Sequence, residues 1–431
     1  MAKGFIIAAP HSGSGKTTVT LGLLRALKRR DVGSGPAKAG PDFIDPAFHT
    51  IASGTECVNL DPWAMRPSLV GGLANLQSDK GLLVVEAMMG LFDGATDGSG
   101  SAADLAESLN LPIVLVVDAA KQSHSIAALV SGFRDFRKGL RFAGVILNRV
   151  GSPRHEAMMR EALGAISVPV LGSIPRDDGL VLPSRHLGLV QAGEHADIEQ
   201  FMEHAADVMD LHVDIDCLLE QQVDLPAKAQ FAGIAPPAQN ISVARDEAFA
   251  FMYPHLLQGW REQGASLSFF SPLADEAPDD RSEFIYLPGG YPELHSGKLA
   301  ANRIFFDGLT DAKERGAFLY GECGGYMVLG EGLVDASGTR HSMAGLLPLV
   351  TSFEKRKLNL GYRLTTSLTD FPLASKGTLL SAHEFHYSTV VSQADSGSLF
   401  EIADARGDKL GNCGLRRGSV AGSYMHLIDH R

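Results

Sequence analysis

Three stretches of the chain carry side chains whose types and spacing can do chemistry. Residues 4 to 24, GFIIAAPHSGSGKTTVTLGLL, read as an apolar strand, a glycine loop and a helix, the context that a phosphate-binding loop needs. Gly13 and Gly15 let the backbone turn its N–H groups toward phosphate, Lys16 can reach the outer phosphates, and Thr17 offers a hydroxyl to Mg²⁺ at the positive end of the helix. With Ser14 and Thr18 these residues form the expected site for a nucleotide triphosphate. The strict pattern GxxxxGK[ST] asks for glycine at position 10, where Pro10 stands, so the loop is a variant.

Acidic side chains gather in two further loops. In KAGPDFIDPAFH, residues 38 to 49, Asp42 and Asp45 are held beside Pro41 and Pro46, either to position carboxylates or to form an ordinary helix-entry turn capped by Asp45. The run LLVV ends in Glu86 and continues as AMMGLFDGATDGSG, with Asp93 and Asp97 among glycines. An acid at a strand end beside a phosphate loop commonly organises Mg²⁺, and a buried Glu86 must meet either a cation or a hydrogen-bond network; the metal is the reading preferred here. Asn148 closes the run GVILN, where an amide suits a purine edge or simply a turn.

The third stretch, AFLYGECGGYMVLG, residues 317 to 330, reads strand, sharp turn, helix, with Gly321, Cys323 and Gly325 forming GxCxG. This parallels a hydrolase nucleophile elbow with sulfur replacing oxygen, and the helix N-terminus is expected to lower the thiol pKa. Upstream, Gly289 and Gly290 in PGGYPE can present N–H groups to an oxyanion. The base is sought among His383, His386, His426 and His430, and His426, after a final strand, is chosen. The spacing HxxH in AHEFHYS lacks the i, i+4 register of a zinc protease, and the other cysteines, Cys57, Cys217 and Cys413, read as buried packing. Lys38 and the HEFH cluster are left unassigned.

The elements that position these residues follow from composition and patterning. At 431 residues the chain has room for two or three domains, and 45% hydrophobic with 20% charged residues excludes wholesale disorder. Glycine, at 47 residues, suggests many tight turns or backbone-lined ligand sites. Lys plus Arg total 38 against 50 acids, a net charge of -12, so no basic field invites nucleic acid. Four scattered cysteines fit a reducing compartment, and the absence of an 18-residue apolar run argues against a membrane span, giving a cytoplasmic reading. Short apolar runs at 4–9, 81–85, 112–117 and 142–147, separated by amphipathic stretches, predict a parallel sheet covered by helices, with ligands at the carboxyl ends of the strands; a later apolar run ends in Ile174 and Pro175. Periodicity fades over LEQQVDLPAKAQFAGIAPPA, after which strands at 241–244, 267–270, 284–287 and 318–320 and a helical stretch at 247–264 predict a second α/β domain. The domains are placed at 1–222 and 239–431, with a linker at 223–238.

With the phosphate loop, GPDFIDP, EAMMGLFDG, GGYPE and GECGGYM in this order, the chain resembles the cobyrinate and hydrogenobyrinate a,c-diamide synthases of corrinoid biosynthesis. The resemblance implies a dethiobiotin-synthetase-like phosphate-loop domain followed by a class I glutamine amidotransferase domain. It implies ATP-, Mg²⁺- and glutamine-dependent amidation of the a- and c-side-chain carboxylates through an acyl phosphate. Carried over by motif, Asp45, Glu86 and Asp93 fall on acids around the phosphorylated intermediate, with Thr17, Asp45 and Glu86 near Mg²⁺, Cys323 on the nucleophile and His426 on its activating histidine. DPWAMRP and EAMMG look more like enzymes acting on metal-free hydrogenobyrinate than on cobyrinate. Triad amidotransferases place Glu two residues beyond the histidine; Ile428 stands there, which leaves a Cys-His pair with Asp429 as a candidate third member. Because ammonium is not a nucleophile, a water-poor passage for ammonia is expected. The alternatives are a cobyric acid synthase-like amidase and a partition-type ATPase switch, and whether the chain forms a homodimer is left open.

Overall fold

Strands rich in Val, Ile and Leu can be buried on both faces, and in the first half of the chain they are. A computed structural model describes residues 3–181, 184–185, 188–189, 197–226, 233–394 and 397–431, and its contacts divide into two units, Met1–Phe231 and Ala232–Arg431. In the first, β1 (Lys3–Ala8), β2 (Ser34–Ala39), β3 (Val58–Leu60), β4 (Leu82–Glu86), β5 (Ile113–Asp118), β6 (Phe142–Val150) and β7 (Val170–Pro175) form a parallel sheet in the order β3-β2-β4-β1-β5-β6-β7. Reversal of direction on either side of β1 opens a crevice at the carboxyl ends of the strands, where ligands of such sheets bind.

The helices α1 (Lys16–Arg29), α2 (Asp45–Ser53), α3 (Pro67–Ser78), α4 (Ala102–Ser108), α5 (Ile126–Asp135), α6 (Pro153–Gly164) and α7 (Ile198–His212) accompany the sheet. α1 starts at the lysine of the phosphate loop and buries Leu21, Leu23, Leu24 and Leu27 with Phe5, Ile7 and Val84 of the sheet. Its other side meets α7. Arg25 pairs with Glu199 at 2.8 Å and Arg29 with Asp207 at 2.6 Å, while Gly22 lies so close that a Cβ there would stand 2.7 Å from the Ala205 carbonyl oxygen.

The four expected first-unit strands are all present. β2, with the sequence SGPAKA, and the three-residue β3 went unread because neither has the β-branched run that marks a strand. Val223–Asp224 pairs antiparallel with β1, so the start of the expected linker belongs to the first unit's sheet; its residues 227–232 lie outside the described residues.

The second unit repeats the logic with a six-stranded sheet ordered 266–270, 240–244, 284–287, 318–322, 420–423, 415–417, parallel except for the last strand. The four expected strands match its first four. The helix expected at 247–264 begins only at Pro254 and runs to Glu262, since proline is favoured at a first helical position and Phe251 is held upstream by a bridge to Gly289. An antiparallel sheet of strands 409–413, 400–403, 359–367, 379–386 and 425–430 and a smaller four-stranded sheet complete the unit.

The close approach of α1 to α7 gives a stability test. Gly22→Val is expected to cost about 1–3 kcal/mol through overpacking, read as a lower denaturant midpoint, because the backbone of α7 must retreat.

Candidate active sites

The phosphate loop is shaped by two left-handed glycines, Gly13 at φ 83° and Gly15 at φ 92°. Only glycine suits Gly15: a Cβ there would lie 2.1 Å from Asn148 Nδ2. Asn148 donates to the Ser14 carbonyl at 2.9 Å and accepts from the Arg149 N–H at 3.0 Å. One N–H and one oxygen lone pair of the amide thus hold the loop, and Asn148 also lines the nucleotide-side cavity. Gly13, Gly15, Lys16, Thr17 and Thr18 line a cavity of about 620 Å³, while Ser14 is fully buried beneath and donates its hydroxyl to the His11 carbonyl at 2.9 Å. Lys16 Nζ donates to the Met89 carbonyl at 2.5 Å; desolvation lowers its pKa, partly opposed by Glu86.

The floor of that cavity is a buried charge network that sequence reading did not assemble. Lys38, in the unread β2, donates to Asp45 at 2.5 Å and to Glu86 Oε1 at 2.9 Å. Glu86 Oε1 also accepts from the Thr17 hydroxyl at 2.7 Å, and His49 Nε2 lies 2.6 Å from its other oxygen. Burial pushes the Glu86 carboxyl up, but Lys38 and then the hydrogen bonds from His49 and Thr17 overcome it and hold the group well below the usual carboxylate range. Burial alone would lower Lys38; Asp45, Glu86 and Asp42 raise it instead. Desolvation and the Asp45 charge lift Asp42 to about 7.

The need of Glu86 for a cation is thus met by Lys38. Among the described residues no three His, Cys, Asp or Glu side chains are arranged to hold a metal alone. Thr17 and Glu86 still present adjacent hard oxygens at the cavity, a donor set that fits Mg²⁺ when phosphate oxygens and water supply the remaining ligands. Asp45 lines the cavity with one oxygen taken by Lys38. Asp93 does not line it: its Oδ2 accepts from the Gly90 N–H at 2.8 Å, shaping the loop after β4, and its charge acts on Lys16 only at range.

In the second unit Cys323 sits at φ 46°, ψ −103°, between the strand Phe318–Glu322 and the helix Gly324–Leu329. A non-glycine residue at positive φ is strained, and small neighbours make room for it. A Cβ on Gly325 would meet the Leu287 carbonyl oxygen at 2.0 Å, and one on Gly321 would meet the Gly325 backbone at 2.7 Å. Pairing of Glu322 with Ser423, and the bond from the Cys323 N–H to the Ser423 carbonyl at 2.8 Å, bring the next strand, Met425–His430, into place with buried His426.

Gly289 lies against both partners. A Cβ there would stand 3.2 Å from Cys323 Cβ, 3.2 Å from His426 Nε2 and 2.3 Å from His426 Cε1. Its N–H is spent on the Phe251 carbonyl at 3.2 Å, which corrects the oxyanion role given to it; its contribution is the space it leaves. Gly290 N faces Gly324 closely enough that a Cβ on Gly324 would be 3.0 Å away, so of the expected pair Gly290 keeps its place at the elbow.

The expected lowering of the thiol pKa is also corrected. Burial, followed by the negative charge of Glu293, raises Cys323 far above its ordinary value against a single favourable backbone N–H from Gly324. The thiol donates to the Phe385 carbonyl at 3.4 Å. Phe385 belongs to the unassigned HEFH cluster, so that strand is part of the site. Cys57 is buried, whereas Cys217 and Cys413 are half-buried rather than buried.

Sequence comparison agrees with this division. Residues 5–190 match the CobQ/CobB/MinD/ParA nucleotide binding domain and residues 240–431 the CobB/CobQ-like glutamine amidotransferase domain. Hydrogenobyrinate a,c-diamide synthase of Brucella anthropi is 59% identical over 432 residues, covering 99% of this chain and 98% of the relative. The protein of that name from Rhizobium meliloti is 56% identical over 427 residues, covering 99% of each. The chain belongs to the hydrogenobyrinate a,c-diamide synthase family. It is an amidating ligase with a nucleotide-binding domain and a glutamine amidotransferase domain.

Two outcomes are expected. Lys38→Ala strands the Asp45 and Glu86 carboxylates and should cost about 3–5 kcal/mol at neutral pH. Because Glu86 is then no longer held ionised, the deficit against the parent should shrink as pH falls toward the ordinary glutamate pKa, which unfolding titrations at several pH values would show. Gly289→Ala should abolish ammonia release from glutamine, measured directly, since the added methyl displaces the histidine.

Proposed function

We propose that the protein uses ATP and glutamine to amidate the a- and c-side-chain carboxylates of hydrogenobyrinate in cobalamin biosynthesis. The near-full-length identity to relatives of that name carries the reading. We assign the synthetase chemistry to residues 1–222 and ammonia production to residues 239–431.

A carboxylate cannot expel oxide in favour of ammonia, so it must first be activated. Lys16 and the loop N–H groups bind the triphosphate and stabilise charge as a substrate carboxylate oxygen attacks the γ-phosphorus, ADP departs and an acyl phosphate forms. Thr17 and Glu86, with Asp45 beside them, would hold Mg²⁺, which supplies neutralisation of phosphate charge when bound. Lys38 keeps Glu86 ionised and fixes both Asp45 and Glu86 in place throughout. Ammonia then attacks the acyl carbon and phosphate leaves.

In the second unit His426 takes the proton of Cys323, and the thiolate attacks the side-chain amide carbon of glutamine. The C–N bond breaks, the departing nitrogen regains a proton as ammonia, and water hydrolyses the γ-glutamyl thioester. Ammonium predominates in neutral water and does not react, so the ammonia is passed on without release into solvent. A free thiol at Cys323 suits a reducing cytoplasm.

Incubation with hydrogenobyrinate, ATP, Mg²⁺ and glutamine should yield amides at a and c by product mapping; amides at other positions overturn the substrate reading. Cys323→Ala should lose activity with glutamine and keep it with ammonium salt. Lys16→Ala should lose both by about 10²-fold or more, because it acts on the shared activation step.

A further inference from the structure

The Cys-His pair lacks a glutamate two residues beyond the histidine, yet an acid reaches the histidine from elsewhere. Glu322, the residue before the nucleophile, is buried with its Oε2 3.9 Å from His426 Nδ1. The Nε2 and Cε1 edge of the same ring is the one that faces Gly289 and Cys323. The order along the site is therefore thiol, imidazole, carboxylate. Glu322 is itself fixed: Oε2 accepts from the Tyr286 hydroxyl at 2.7 Å and Oε1 from the Leu427 N–H, next to His426, at 3.2 Å.

We propose that Glu322 is the third member of the glutaminase site, positioning His426 and stabilising its imidazolium from the strand that carries the nucleophile. This rests on the reading of Cys323 as the glutaminase nucleophile. With Glu322 ionised, Nδ1 carries the hydrogen and Nε2 is the acceptor that takes the thiol proton. The imidazolium so formed lies against a carboxylate, and Nε2 later returns the proton to the departing nitrogen. A separation of 3.9 Å is long for a hydrogen bond, but catalytic contacts in ligand-free sites commonly tighten when substrate binds.

The groups that set the protonation of this site come from several elements. Tyr286 and Tyr320 surround Glu322, whose carboxyl burial lifts to about 7. His383 and His386 act on His426, which burial first of all lowers well below its ordinary value. Glu293, Glu322 and Glu384 act on Cys323.

The test compares Glu322→Gln with Asp429→Asn in the full chain, measuring ammonia release from glutamine against pH. For Glu322→Gln we expect kcat to fall by about 10²-fold or more with KM for glutamine little changed. The rise of activity with pH through about 7 that ionisation of Glu322 predicts for the parent should be lost. Glu322→Asp, which keeps the charge, should restore part of the rate and of the pH limb. It also carries the test if the glutamine variant unfolds, as a thermal melt would reveal. Parent-like kcat and pH profile in Glu322→Gln, or loss confined to Asp429→Asn, overturns the assignment. Cys323→Ala is run beside them: if it still releases ammonia, the nucleophile reading fails instead.

Discussion

A carboxylate at the end of a buried parallel strand must be paid for, and both units are organised around such a group. Glu86 closes β4 fully buried, and Lys38, His49 and Thr17 converge on it from a neighbouring strand, a helix and the phosphate loop. Those contacts tie together the elements that form the cavity: the Lys38 ammonium fixes Asp45 at the start of α2, and the Thr17 hydroxyl fixes the first turn of α1. An uncompensated ion at that depth is among the costliest features a fold can carry, which explains why an otherwise unremarked lysine lies in the centre of the site. Glu322 closes its strand in the second unit under different terms. It is met by a phenol and a backbone N–H, and its carboxyl sits near 7. One glutamate is locked as an anion; the other is poised to titrate.

The second constraint is steric. Cys323 is held at positive φ by a strand and a helix that meet without a loop, and four glycines, Gly289, Gly321, Gly324 and Gly325, each stand where a Cβ would collide with a neighbour. Strain at the thiol is sustained because the surrounding backbone leaves no alternative path. Burial raises the pKa of the thiol, so in the proposed mechanism activation falls to His426 rather than to the helix end.

Much of this was legible in the sequence. The phosphate loop, Glu86 and Cys323 announce themselves because each stands at the end of an apolar strand, and eight strands were readable for that reason, whereas His426 was found only by its place near the end of the chain, in its last strand. β2 was not, since Gly, Pro, Ala and Lys carry no strand signal, and with β2 unread Lys38 had no place. His49 and Glu322 were invisible for a related reason: their partners lie far away in sequence, and only sheet order and ring orientation bring them together. Gly289 shows the opposite failure: it lies where motif reasoning put it, but its N–H is consumed by the Phe251 carbonyl, and it works by the space it leaves. The antiparallel sheet that carries both Phe385 and His426 lacked the long apolar runs that made the parallel strands visible.

In the function proposed, ammonia freed at Cys323 is consumed at the phosphate-loop site without mixing with solvent ammonium. This transfer is tested most directly by supplying glutamine labelled with ¹⁵N in its side-chain amide together with unlabelled ammonium salt, and measuring label in the amidated corrin. The account predicts that the new amides carry the label in nearly every product molecule. Label diluted in proportion to the added ammonium would contradict it.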